Sequence, residues 1–244
     1  MWPLFPFNNY FLQADRDYSI PEIWDLIKEK GYDKAYFSIN DTEWERALAI
    51  RDERKRTGLN LAAVYTVLQM DQPNFGSGHK ITELMNCLDA GDTLEIAMSI
   101  GWEIDQSDPN HDDLALEILL PILKEAKCRG IHISLSHHFG FWLERIEDCV
   151  RIAKKINDPY LGVTFCGYHW YAIDRENLFE KLKLATPYLK LVNLCGSRKK
   201  TQDSDFPLTY TVETVGSGDF PLKEFVAVLI KIGNTVSVGF KRYM

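Results

Sequence analysis

The chain has 244 residues, 45% of them hydrophobic and 26% charged, an ordinary balance for a globular fold in water. That length suits one domain over 1–244, with a core large enough to need no disulfide or metal staple. A net charge of −7 argues against nucleic acid as the main partner, because phosphate backbones are bound through Lys and Arg.

Five cysteines without C-x-x-C spacing read as reduced thiols, which makes the cytoplasm the expected compartment. The apolar start, residues 1–7, is short, has no basic region and contains two prolines. It reads as neither leader nor membrane span, and no membrane partner is expected.

The pattern alternates short β-branched or aromatic runs with amphipathic stretches. A first strand over 5–9 precedes a helix over 20–31, with Pro21 near its start and Gly31 as its stop. Strand two is 34–39, a charged helix runs over 42–57, and strand three is 61–68. A helix over 81–89 leads to strand four, 93–99. A helix over 112–126 leads through Gly130 to strand five, 131–136. Residues 141–156 read as helix, 160–166 as strand six, 177–185 as helix and 188–195 as strand seven. A long loop, a helix over 220–232 and strand eight, 236–240, complete the pattern.

Strand–helix alternation at this spacing predicts βαβ units and a parallel sheet, and about eight units in this length is the arithmetic of a (β/α)8 TIM barrel. A doubly wound open sheet is the alternative, but no G-x-G-x-x-G follows the first strand. The chain reaches Met244 directly after strand eight, so the barrel is expected to lack its last helix. An apolar strip is expected at the strand eight–strand one seam. It would be covered by residues 2–7, by a second copy in a homodimer, or by nothing.

In such barrels the reactive groups stand at the carboxyl ends of the strands. Those positions hold Asn8, Asn40, Tyr65, Ser99, Trp102, Ser136, His137, His138, Cys166, His169, Trp170, Asn193, Lys241 and Tyr243. Amides and imidazoles among aromatic faces suit a sugar-like ligand. Asn8, Tyr65, Trp102, Trp170, Asn193 and Tyr243 are the expected substrate contacts, and Trp142 is a further candidate for a stacking wall.

The segment Ser134-Leu135-Ser136-His137-His138-Phe139-Gly140-Phe141-Trp142 resembles strand five of the xylose-isomerase-like barrels, the sugar phosphate isomerase/epimerase superfamily. Asn157-Asp158-Pro159-Tyr160-Leu161-Gly162-Val163-Thr164-Phe165-Cys166-Gly167-Tyr168-His169-Trp170 resembles strand six. Gly216-Ser217-Gly218-Asp219-Phe220 and Val238-Gly239-Phe240 are similar to the seventh helix and eighth strand. The resemblance implies a divalent metal held by Glu, Asp, His and Glu at the ends of strands five to eight. Carried over position by position, those places fall at Ser136, Cys166, Asn193 and Lys241, and none is the implied ligand. The hard-cation site is therefore expected to be missing.

What remains is His138, His169 and Cys166, with Lys241 opposite. The two histidines with Cys166 would form a softer zinc site, or the histidines would work as a metal-free acid/base pair. Otherwise the histidines are hydrogen-bonding pocket residues and Cys166 is a small buried hydrophobe. Gly216–Asp219 opens a helix either as an anion cradle or with Asp219 as its N-cap, the cap being favoured. The acidic run 105–113 reads as a solvated loop entering a helix.

The expected function is a sugar or sugar phosphate isomerase/epimerase with His138, His169 and Lys241 as catalytic residues. The alternative is an inactive barrel that binds a sugar-like ligand or a protein partner. A lyase built on Lys241 as a Schiff base is a further option.

Overall fold

The computed structural model describes residues 1–7, 18–39, 44–71, 80–101, 103–199 and 210–241. Asn8, Asn40, Trp102 and Tyr243 lie outside these residues. Eight parallel strands form one sheet: β1 (Leu4–Pro6), β2 (Lys34–Ser38), β3 (Asn60–Gln69), β4 (Thr93–Ser99), β5 (His132–Ser136), β6 (Leu161–Cys166), β7 (Leu189–Leu194) and β8 (Ser237–Phe240). Each strand pairs with its neighbour in sequence order and β8 pairs with β1, so the ladder opens only between β1 and β2. Two bonds bridge that gap: the Asp33 N–H donates to the Leu4 carbonyl at 3.0 Å, and the Leu4 N–H to Asp33 Oδ2 at 2.8 Å. The result is a nearly closed (β/α)8 barrel.

The intervening helices are α1 (Ile20–Glu29), α2 (Trp44–Thr57), α3 (Ile81–Met85), α4 (Asp112–Cys128), α5 (Ile146–Ile156), α6 (Gly167–Ile173), α7 (Leu178–Ala185) and α8 (Leu222–Lys231). Their starts and stops follow from local chemistry. At α1 the Ser19 side chain accepts the Glu22 N–H while the Glu22 carboxylate accepts the Ser19 N–H, a closed capping box. Ile23, Trp24 and Ile27 form its buried face, and Gly31 leaves in the left-handed region at φ 76°.

Strand alternation divides the core in two. Ile96, Ile133, Leu135, Val163, Phe165, Val192 and Val238 face the helices in the larger hydrophobic cluster. The smaller cluster fills one side of the barrel interior with Phe5, Phe7, Tyr36, Ala63 and Leu191. The other side is polar and buried: Glu95, Ser134, Ser136, Thr164 and Asn193. Ser134 Oγ and Thr164 Oγ1 hydrogen-bond across β5 and β6 at 2.7 Å.

Four expectations are corrected. Residues 141–145 are not helical, because the His138 N–H donates to the Leu143 carbonyl and Gly140 turns at φ 77°. Trp142 is buried there, donating Nε1–H to the Asp108 carbonyl at 2.9 Å, and stands in no stacking wall. Gly216–Asp219 does not open the helix. Gly218 turns at φ 74° so that the Asp219 and Phe220 N–H groups both donate to the Ser197 carbonyl, and α8 starts only at Leu222. Within the acidic run Asp112 is buried rather than solvated, held by Arg151 at 3.1 Å and Lys155 at 2.8 Å. A helix that periodicity did not suggest, α6, follows β6 at once and carries His169.

At the β8–β1 seam an apolar groove of about 630 Å³ runs between α1 and the turn at Thr214 and Val215, floored by Pro6, Phe7 and Phe240. Of residues 2–7, expected as its cover, Leu4–Pro6 form β1, and Pro6 and Phe7 line the groove rather than fill it. No helix among the described residues is long and apolar enough to cross a membrane.

Gly239 makes the barrel interior at this seam. A Cβ there would lie 2.3 Å from the Phe5 ring and 3.0 Å from Asn193 Oδ1. Gly239→Ala is therefore expected to lower stability by about 1–3 kcal/mol through overpacking, read by urea denaturation. An unchanged midpoint would show that the ring has room to move.

Candidate active site

The mouth of the barrel is a small polar pocket of about 60 Å³ lined by Phe7, Tyr36, Ser38, Tyr65, Glu95, Ser136, His138, Cys166, His169, Asn193 and Lys241. The fold thus brings together seven residues singled out above, His138, His169, Lys241, Tyr65, Ser136, Asn193 and Cys166. It does not bring Trp170 there. That ring packs on Phe220 and Phe225 behind the mouth and donates Nε1–H to the Glu176 carbonyl at 3.0 Å.

His138 leaves β5 just past its end and His169 sits on the first turn of α6, so their rings meet with centroids 4.0 Å apart. Phe139 sets both tautomers. Its carbonyl lies 2.9 Å from His138 Nδ1; a carbonyl only accepts, so that nitrogen carries the proton. Its N–H donates to His169 Nδ1 at 3.2 Å, so that nitrogen carries none. When neutral, His138 is left with a lone pair on Nε2 and His169 with an Nε2–H. One residue's amide and carbonyl thus turn two like side chains into an acceptor and a donor.

Both rings are held neutral. Burial, then the Lys241 charge, pushes His138 down to about 3, and burial, then His138, then Lys241, lowers His169 well below the ordinary value. His137 belongs to the support rather than the mouth. Its Nε2 accepts the Cys166 N–H at 2.9 Å, and burial lowers it to about 3. Cys166 is a buried thiol whose pKa burial raises, so it stays protonated at neutral pH.

Lys241 enters the mouth from the end of β8, with Nζ 5.6 Å from the Phe7 ring centroid and 5.8 Å from that of Tyr168. Asn193 Oδ1 is buried and has no hydrogen-bond partner, an acceptor aimed at nothing the protein supplies.

Glu95 was missed by reading strand ends alone, because it lies in the interior of β4. It is 1% exposed and accepts from the Tyr36 hydroxyl at 3.1 Å. Burial raises its carboxyl to about 7, against hydrogen bonds from Ser136, Tyr36 and Thr164 and the charge of Lys241, which pull the other way. A sequence signal existed. Thr93, Glu95, Ala97 and Ser99 form the inward face of β4, and a lone charge inside an otherwise uncharged buried strand needs a partner.

The model of the xylose isomerase-like TIM barrel family matches residues 24–241. The chain belongs to this family. Among solved structures it is similar to the 3-keto-D-glucoside 4-epimerase of E. coli, with 15% identity and TM-score 0.76 over 100% of this chain and 93% of that one. A zinc-bound IolI protein gives 17% and 0.76 over 99% and 89%. A D-allulose 3-epimerase from Methylomonas sp. in complex with D-allulose gives 14% and 0.73 over 99% and 84%. At these identities the likeness shows the fold. No curated protein matches by sequence.

The divalent cation that the family implies does not fit the residues at the four strand ends. They offer the hydroxyl of Ser136, a protonated thiol at Cys166, the amide of Asn193 and a positive charge at Lys241. Nor do His138, Cys166 and His169 make the softer site: among the described residues no three His, Cys, Asp or Glu side chains are grouped to hold a metal ion.

The titrations have opposite signs. The histidines bind protons less readily folded than unfolded, so their contribution is present above about 6.5 and is lost as pH falls toward 3. Glu95 binds its proton more readily folded, so its contribution is present below 4.5 and is lost as pH rises through about 7. With four histidines lowered, His132 on β5 among them, against one raised carboxyl, the urea midpoint is expected to fall between pH 6.5 and pH 4.5. His138→Gln should make that fall shallower; an equal slope in this variant would mean that His138 is not buried neutral.

Proposed function

We propose that the chain is an isomerase or epimerase of a small polyhydroxylated carbonyl compound, a sugar or sugar phosphate, that works without the family's bound cation. The observation that carries this reading is the paired imidazoles with opposite tautomers beside Lys241. The chemistry requires a carbonyl oxygen to be polarised while a neighbouring hydroxyl is held and oriented. The His169 Nε2–H donates to the first, and the His138 Nε2 lone pair accepts from the second. Lys241 supplies the fixed positive charge that steadies the developing oxyanion, the task a divalent ion performs elsewhere. A neutral imidazole is the better donor here, because an imidazolium beside Lys241 would have to be desolvated next to a like charge.

Tyr65 and Asn193 complete the grip on the hydroxyls, Asn193 through its unpartnered Oδ1. Asn8, Trp102 and Tyr243 are further proposed substrate contacts on their places in the sequence, two or three residues past the last residues of β1, β4 and β8. Membership of a family whose solved relatives include sugar epimerases supports the substrate class. A pocket of this size suits one end of a sugar chain.

The test is exchange of carbon-bound hydrogen into D2O, followed by proton NMR, with pentoses, hexoses and their phosphates. Exchange should survive exhaustive chelation. It should fall by about 100-fold or more in the His138→Ala/His169→Ala double variant, the range for loss of a preorganised donor to a developing oxyanion. Exchange that persists in the double variant would remove these residues from the site. Exchange abolished by chelation and restored by a divalent metal would remove the cation-free reading. Asn193→Ala should raise KM about 10-fold with kcat nearly unchanged, the cost of one hydrogen bond made equally in ground and transition states.

A further inference from the structure

Isomerisation needs a group that takes a proton from carbon and gives it back. Neither imidazole serves: burial holds His138 near 3 and lowers His169 well below its ordinary value, which makes both weak bases toward a carbon-bound proton. Cys166 stays a thiol, and the Tyr36 hydroxyl is held well above its ordinary range by burial and then by Glu95. One carboxyl lines the pocket among the described residues, Glu95, set beneath the imidazoles and within the field of Lys241.

We propose that Glu95 is the proton-carrying catalytic residue, removing a proton from the carbon beside the substrate carbonyl and returning it to the adjacent carbon on the same face. This rests on the reading of the preceding subsection and deepens it, because one carboxyl on one face favours aldose–ketose isomerisation over epimerisation. An epimerase that inverts a carbon through an enediol needs a second group on the opposite face.

The step balances without any co-reactant. The C2–H bond breaks and its proton goes to the Glu95 carboxylate. Its electron pair forms the C1–C2 double bond, and the carbonyl pair moves onto O1, beside Lys241 and the His169 Nε2–H. The O2 hydroxyl proton passes to O1 and the carbonyl re-forms at C2. C1 then takes the proton from Glu95, which is again a carboxylate.

The surroundings of Glu95 suit this cycle. Burial favours the acid form, while the Tyr36, Ser136 and Thr164 hydroxyls and Lys241 favour the carboxylate. Cys149 on α5 and Cys166 on β6 also lie in its field, and burial keeps both as neutral thiols. The balance lies near 7, where both forms are present in quantity. A carboxyl with an ordinary solution pKa would be a weaker base and would rarely hold the proton it must return.

The experiment combines infrared titration of the carboxyl band with D2O exchange on the same sugar panel, using wild type, Glu95→Gln and Glu95→Asp. Support would be a carboxyl titrating near pH 7 in wild type and absent from Glu95→Gln. Exchange should rise with pH through that same value, fall by about 100-fold or more in Glu95→Gln, and keep its pH limb at a reduced rate in Glu95→Asp. Deuterium from C2-labelled aldose should appear in part at C1 of the ketose.

Wild-type exchange that Glu95→Gln leaves within about 3-fold would overturn this inference alone and leave the function standing. The absence of a Glu95-dependent titration between pH 5 and pH 9 would overturn it whatever the substrate. A wild type that titrates near 7 but exchanges none of the sugars would overturn the function, and the proton-carrying role with it. The infrared arm needs no activity, and Glu95→Asp keeps a titrating carboxyl in place should Glu95→Gln fail to fold.

Discussion

A carboxyl group lies on the axis side of a β-strand in the middle of this barrel, and much of the interior is arranged around it. Burying a carboxylate without partners is costly, so the walls facing Glu95 cannot be the aliphatic layers that usually fill such barrels. Tyr36 supplies a hydroxyl from β2, Ser136 and Thr164 supply hydroxyls from β5 and β6, and Lys241 supplies charge from the end of β8. Apolar packing is displaced to the other half of the interior, where Phe5, Phe7 and Tyr36 stack with ring centroids 4.1–5.9 Å apart. Gly239 leaves room for that stack at the seam where β8 meets β1.

The same arrangement explains why the family's cation has no place here. A divalent ion at the mouth needs anionic or neutral donors on several strands, and this chain puts an ammonium on one of them. Lys241 lowers the proton affinity of both imidazoles and favours the carboxylate of Glu95. It acts on all three in the sense a bound cation would, while its position is fixed by the chain. The difference lies in reach. Under the proposed function an ammonium steadies one substrate oxygen, and the second falls to the donor and acceptor that Phe139 orients.

Much of the fold was legible in the sequence, because strand–helix alternation is a strong periodic signal and each boundary has a local cause. β4 stands at the residues its β-branched and apolar pattern predicts, and Gly31, Gly58 and Gly130 stop their helices at positive φ. The misreadings fell where tertiary contacts outvote local preference. Residues 141–145 carry an amphipathic pattern, yet the turn that presents His138 to the mouth uses their backbone. Asp219 looks like an N-cap until the Ser197 carbonyl takes its N–H.

The site was legible only in part, for a geometric reason. Strand ends mark where a barrel's reactive groups usually stand, and that rule located His138, His169, Asn193 and Lys241 in one pocket. It is silent on depth. Tyr65 and Glu95 are directly paired across β3 and β4, with four further residues of each strand beyond them. A pocket whose floor lies that far below the rim draws on mid-strand side chains. Such positions announce themselves by polarity rather than by place: a charge on the inward face of a strand without other charges must be answered by the strands around it, and tracing those answers leads from Glu95 to Tyr36, Ser136, Thr164 and Lys241.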